Sequence, residues 1–115
     1  MPESMYPQPS KDIARRRKEL APDPHEAFKQ FSAAVFADGA LEAKTKQLIA
    51  VAVAHVTQCP YCIAGHTKAA VRQGVTPEEI MEAIWVAAEM RAGAAFAHAS
   101  LAIEAMEQAA GTASA

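Results

Sequence analysis

Three prolines in this chain stand directly behind residues that can cap a helix: Asp23-Pro24, Cys59-Pro60 and Thr76-Pro77. Proline has no N–H and a fixed φ, so it fits the first turn of a helix, where the N–H has no intrahelical partner. An acceptor side chain just before it can take up the free amides of that turn. The chain is thus marked at helix starts. No segment reads as a strand, and the expected fold class is all-α, a single domain of about five to six helices.

The segments between these marks can be read in order. Residues 1–9 hold three prolines and no periodicity, which predicts a flexible N-terminal arm ahead of a domain over 10–110. Ser10 caps a short helix over roughly 11–20. Asp23, Pro24 and Glu26 then look like an N-cap, first position and N3 of an acidic capping box. Phe28, Phe31, Val35 and Phe36 fall on one helical stripe, a buried face of core or subunit-contact residues, and Trp85 is read the same way. Asp38-Gly39 ends that helix. The stretch EAKTKQLIAVAVAHV predicts a buried helix over about 43–56. Val51 and Val53 hint at a strand, but the length and the alanines favour the helix. The next helix runs from Cys59-Pro60 to about Gln73, where Gly74 stops it. Thr76, Pro77 and Glu79 form a second capping box. The helix behind it is expected to reach about residue 91, to break at Gly93 and to resume over 94–109, with the tail GTASA frayed.

Bulk composition narrows the function. With 115 residues the chain is long enough for one domain and too short for two. Apolar residues make up 51% and aromatics only 6%, and alanine supplies much of the apolar share. A small alanine-rich domain buries little per residue alone, which favours a homo-oligomer. A net charge of −2 gives no argument for nucleic acid. The basic run Arg15-Arg16-Arg17-Lys18 lies among Asp12, Glu19 and Asp23 and reads as a solvated face. The first residues have no apolar stretch of a signal peptide, and the longest apolar run, Leu48 to Ala54, is far short of a membrane span. A cytoplasmic protein is expected. In that compartment two cysteines at CxxC spacing point to redox or metal chemistry more than to a structural staple.

The chemistry concentrates in HVTQCPYCIAGH, residues 55–66. With Pro60 at the first helical position, Cys59 becomes the N-cap and Cys62 sits in the first turn. Both sulfurs then lie near free amides and the positive end of the helix dipole, which lowers a thiol pKa. Residues three apart on a helix are neighbours, so the pair can close a disulfide with small adjustment. His66 follows Cys62 by four residues on the same face and can take its proton. A metal site is the competing reading. On one continuous helix His55 and His66 would stand about 16 Å apart, too far for one ion. No metal and no other cofactor is expected beyond the redox-active pair itself. A third reading, inert buried cysteines, treats both as small core residues.

The stretch KTKQLIAVAVAHVTQCPYCIAGHTKAAVRQGVTPEEIMEAIWVAAEMRAGAAFAHA resembles the carboxymuconolactone decarboxylase superfamily, and most closely its alkyl hydroperoxidase D-like branch. The resemblance covers roughly residues 40–108. It implies an all-α fold of about six helices, assembled as homotrimers or homohexamers. It also implies thiol-dependent peroxidase activity, in which Cys62 becomes the sulfenic acid, Cys59 resolves it and His66 serves as the histidine behind the pair. The family's relay glutamate, twelve residues before the first cysteine, is replaced by Gln47, which cannot accept a proton. The histidine expected before the second cysteine is replaced by Tyr61. His55, Glu89 and His98 are the candidates for rebuilding the relay. The plain alternatives are a surface or Arg91-paired carboxylate for Glu89 and a packing histidine for His98.

The expected function is therefore a thiol peroxidase or disulfide reductase serving antioxidant defence. Its partners would be a hydroperoxide and a thiol reductant or disulfide-exchange protein, with no nucleic acid and no membrane. The alternatives are a lactone-acid decarboxylase of the same superfamily and a non-enzymatic redox-sensing oligomeric module.

Overall fold

A computed structural model describes residues 5–114, with side-chain environments through Gly111. It contains five helices: α1 (Lys11–Leu20), α2 (Pro22–Phe36), α3 (Ala43–Thr57), α4 (Pro60–Arg72) and α5 (Pro77–Ser114). No strand occurs among the described residues, as the all-α expectation requires. The chain divides into two compact units, one up to Asp38 and one from Gly39 onward. The arm expected over residues 1–9 lies partly outside the described residues, which begin at residue 5.

In the first unit α1 starts as expected, with Ser10 Oγ accepting from Ile13 N–H at 3.1 Å. The α2 start differs from expectation. The helix begins at Pro22, its N-cap is Ala21, and no side chain caps it. The first turn of a helix leaves its amides unpaired, so Pro22 and Pro24 both fit there and the helix gains two residues over the expected start. Glu26 therefore cannot close a capping box with Asp23. Its carboxylate accepts from Gln30 Nε2 at 3.0 Å instead. The Phe28, Phe31, Val35 stripe is not core within the chain: Phe28 is 69% and Phe31 63% exposed, and only Phe36 is half-buried. The two phenyl rings lean against each other along the helix, tilted by 43° with centroids 6.2 Å apart.

In the second unit α3 packs along both α4 and α5. The core is made of Val51 from α3, Ala70 from α4, Val75 from the following turn and Ile80 from α5, with Leu48 and Ile84 packed against it. Two tight junctions arrange these helices. Gln58 follows α3 in the left-handed region, at φ 57°, and Cys59 N–H returns to Ala54 O at 3.2 Å. Gly74 follows α4 at φ 85°; Gly74 N–H bonds Val71 O and Val75 N–H bonds Ala70 O, each at 3.0 Å. Both junctions carry the six-to-one bond of a Schellman turn, and at the second, Val75 and Ala70 meet in the core beneath it. The expected capping box then starts α5: Thr76 N–H donates to Glu79 Oε1 at 2.9 Å and Glu79 N–H to Thr76 Oγ1 at 3.1 Å.

The break expected at Gly93 does not occur, and α5 runs unbroken for 38 residues. A lone glycine weakens a helix by about 1 kcal/mol but does not end one unless the backbone turns left-handed, and Gly93 is not among the glycines at positive φ. The Glu89 carboxylate lies over the space a Cβ would occupy there, about 3.5 Å away. Alanine-rich sequence carries the helix on through Gly111 to Ser114, past the end expected at 109; Ala115 lies outside the described residues. Burial is confined to the first half of α5. Ile80 and Ala87 are buried, whereas every residue from Ala94 to Gly111 is exposed. Trp85, expected in a core or contact, is 69% exposed in the chain. Among the described residues no helix is long and apolar enough to cross a membrane.

Candidate functional site

The α3–α4 junction places the cysteines. Gln58 turns the chain in a single residue, and Cys59, in extended conformation, becomes the N-cap of α4. Its sulfur accepts from Cys62 N–H at 3.2 Å, and its carbonyl accepts from Ile63 N–H at 2.9 Å. Pro60 has no amide to satisfy, and the Tyr61 amide is also directed at the Cys59 sulfur. One cysteine thus closes the whole first turn. Both cysteines are free thiols and half-buried.

The sequence predicts a lowered pKa for both sulfurs, but the structure separates them. The Cys59 thiol is held below its ordinary value by the hydrogen bond from the Cys62 side chain, then by the Cys62 and Tyr61 amides. The Cys62 thiol is pushed above its ordinary value, first because it donates to Cys59, then by burial and by the charge on Cys59. Proximity to a helix start is not sufficient for activation. The N-cap sulfur receives the amide hydrogen bonds, while Cys62, inside the turn, becomes a donor to that sulfur.

His66 lies one helical turn beyond Cys62 on α4 and is half-buried. Its Nδ1 lies 2.8 Å from Gln47 Oε1 on α3. An amide oxygen only accepts, so Nδ1 carries the proton and Nε2 the lone pair. Gln47 is only 8% exposed, the one buried polar residue of the described chain. The residue flagged by sequence as a gap in the relay is therefore in contact with the histidine. It cannot remove a proton, but it fixes which ring nitrogen is basic.

The other candidates sit elsewhere. His55 is half-buried, and its Nδ1–H donates to Val51 O at 2.7 Å within α3. Glu89 is exposed on α5 beside Gly93. His98 is also exposed, its Nδ1–H donating to Ala94 O at 2.8 Å, so its partner is its own helix and not a packed core. Of the two plain alternatives for Glu89, the exposed surface carboxylate is the one seen; Arg91 donates through Nη1 to Val56 O at the end of α3. A cation on the last carbonyls of a helix is favourable there, and it ties α5 to the turn that carries Cys59. Neither this contact nor the left-handed Gln58 is legible from sequence, since neither leaves a motif. Among the described residues no group of three or more His, Cys, Asp or Glu side chains is placed to hold a metal ion.

An all-helical chain with a cysteine pair at a helix start and a histidine one turn on defines a class of thiol-bearing helical proteins. Residues 22–105 match the Carboxymuconolactone decarboxylase family. The chain belongs to that family. A protein of the cox locus of Paracoccus denitrificans, uncharacterised by name, is 68% identical over 83 residues, 72% of this chain and 75% of its own length. An uncharacterised protein of Cupriavidus necator is 38% identical over 77 residues, 67% of this chain and 68% of its own. Among solved structures, a Methanobacterium thermoautotrophicum protein matches with a TM-score of 0.69 and 40% identity, covering 72% of this chain and 93% of that one. The apo form of a carboxymuconolactone decarboxylase family protein from Legionella pneumophila matches with a TM-score of 0.65 and 39% identity, covering 84% and 86%.

Proposed function

We propose that the chain is a thiol-dependent peroxidase and disulfide reductase acting through Cys59 and Cys62. The observation that carries this reading is the coupling of two elements. A cysteine pair shares one helix start, and one turn away stands a histidine whose tautomer Gln47 fixes. Cys62 keeps its proton at rest and needs a base; His66 Nε2 supplies it. The Cys62 thiolate attacks the peroxide O–O bond, the alkoxide leaves and is protonated by His66, and Cys62 becomes a sulfenic acid. Cys59, stabilised as a thiolate by the α4 amides, attacks the Cys62 sulfur and releases hydroxide, which is protonated to water. The products are an alcohol, water and the Cys59–Cys62 disulfide. An external dithiol reduces that disulfide by exchange.

The test is stoichiometric. One equivalent of hydroperoxide added to reduced protein consumes two thiols, and catalytic turnover follows when a dithiol is supplied. Unchanged thiol counts rule the reading out. His66→Asn lowers the peroxide rate by about 10² to 10⁴, the usual contribution of a general base. Gln47→Glu offers the ring a carboxylate, so its peroxide rate exceeds that of the native chain.

The family name favours one further reading, decarboxylation of a lactone acid. That reaction has no use for a cysteine pair, so lactone turnover retained after Cys59 and Cys62 are both replaced by serine selects it. Assembly as a homotrimer or homohexamer is part of the proposal. It is supported by the exposed Phe96, Leu101, Ile103 and Met106 on the second half of α5, and sedimentation of the purified protein tests it.

A further inference from the structure

The two sulfurs of the site are prepared by different devices, and this sets the order in which they act on an external disulfide. Cys59 stands at the N-cap with its sulfur 3.2 Å from Cys62 N–H, and Tyr61 N–H is directed at the same atom. A sulfur that accepts amide hydrogen bonds is a better acceptor as thiolate than as thiol, so folding of α4 itself favours the ionised form. Cys62 lies three residues on, inside the turn, and gives its proton to a hydrogen bond with Cys59. The Cys62 side chain and the backbone amides together supply Cys59 with its activation within the folded dithiol, whereas Cys62 depends on a side-chain base.

We infer that Cys59, and not Cys62, is the thiol that attacks external disulfides, so the reduced protein reduces small disulfides through a mixed disulfide on Cys59. The inference rests on the proposed redox use of the pair but reverses the roles the cysteines take toward peroxide. In the first step the Cys59 thiolate attacks one sulfur of R–S–S–R. The S–S bond breaks, RS⁻ leaves and takes a proton from water, and Cys59–S–S–R remains. In the second step Cys62 passes its proton to His66, and its thiolate attacks the Cys59 sulfur. The second RS⁻ leaves and is protonated. One R–S–S–R becomes two RSH, and two cysteine thiols become one disulfide. The half-buried setting of Cys59 suits a small disulfide in preference to one embedded in a folded protein.

The lowered thiol of Cys59 and the raised thiol of Cys62 act in the same direction. Thiolate fraction falls tenfold per unit of pKa above ambient pH, while intrinsic nucleophilicity recovers only about half of that logarithmic loss. The more ionised sulfur therefore attacks faster at neutral pH.

The probe is glutathione disulfide. Cys62→Ser keeps the backbone amide and a hydroxyl donor toward Cys59, and it is expected to accumulate a stable glutathione adduct on Cys59, seen by mass spectrometry. Cys59→Ser is expected to form its adduct at least about tenfold more slowly at neutral pH. Equal rates, or a faster reaction in Cys59→Ser, overturn the inference. Because either variant can perturb folding, the reduced native chain is also treated with substoichiometric iodoacetamide and mapped by peptide: alkylation falls first on Cys59 if the inference holds and first on Cys62 if it does not. Peroxide consumption is measured on the same preparations. Absence of peroxide consumption by the reduced native chain, with adduct formation on Cys59 intact in Cys62→Ser, sinks the peroxidase reading alone, and peroxide turnover by the native chain with preferential modification of Cys62 sinks this inference alone.

Discussion

The junction between α3 and α4 and the junction between α4 and α5 solve the same geometrical problem with different residues. Each stops one helix with a left-handed residue, returns an amide to the carbonyl five residues back, and starts the next helix on a proline. At the second junction the left-handed residue is Gly74 and the cap is Thr76, answered by Glu79. These are the residues that local energetics prefer at such positions. At the first junction the left-handed residue is Gln58 and the cap is the sulfur of Cys59. Both are poorer choices: a side chain in the left-handed region is strained by about 1 kcal/mol, and sulfur is a weak acceptor unless ionised. Stability governs one corner. At the other a less stable solution leaves a thiol, held below its ordinary pKa, at the point where hydroxyl and carboxylate would normally cap the helix.

Exchanging residues between the corners puts this contrast at risk. Cys59→Ser gives the first corner a hydroxyl cap like that of the second. It should abolish multiple turnover with peroxide while stabilising the fold by about 0.5–1 kcal/mol, read from urea midpoints; a destabilised variant means that the sulfur was not the weaker cap. Thr76→Ala strips the second corner of its cap and should cost about 1 kcal/mol with peroxide turnover unchanged. Gly74→Ala and Gln58→Gly should move stability in opposite directions. The first loses about 1 kcal/mol because alanine is forced to φ 85°. The second gains about 0.5 kcal/mol as strain is released against the added entropy of the unfolded chain. Parallel shifts of the two would show that Gln58 is not strained.

The smallest effect concerns pH. The Thr76 amide and hydroxyl hold the Glu79 carboxyl below its ordinary value. Its folded pKa is therefore depressed, so its contribution is fully present above the unfolded carboxylate value and is lost as pH falls through the folded one. Thermal midpoints of the native chain and of Glu79→Gln should differ at neutral pH and converge under acid. A gap that stays constant down to strongly acid pH contradicts the assignment.

Helix starts were the most legible part of this chain, because Ser10, Cys59-Pro60 and Thr76-Pro77 each record an amide-satisfying cap in a few contiguous residues. Asp23-Pro24 misled by two residues because two prolines fit one first turn. Gly93 misled because glycine permits a left-handed turn without demanding it. The Phe28, Phe31, Val35 stripe shows that periodicity tells which residues share a face and says nothing of what covers it. Within the site, CxxC and His66 could be read from spacing on a single helix. The contact of Gln47 with His66 joins residues nineteen apart on two helices, and the unlike state of the two thiols depends on which one donates to the other. Such properties belong to the packed structure and leave no local pattern.

The amides that end on the Cys59 sulfur also weight an equilibrium. The thiolate they stabilise exists only in the dithiol form and is consumed when the disulfide closes. Stabilising one side of that couple makes the other a stronger oxidant. A helix begun on a cysteine is thus biased to stay reduced, and once oxidised it draws electrons from a donor dithiol more strongly than the same pair placed in an unstructured loop.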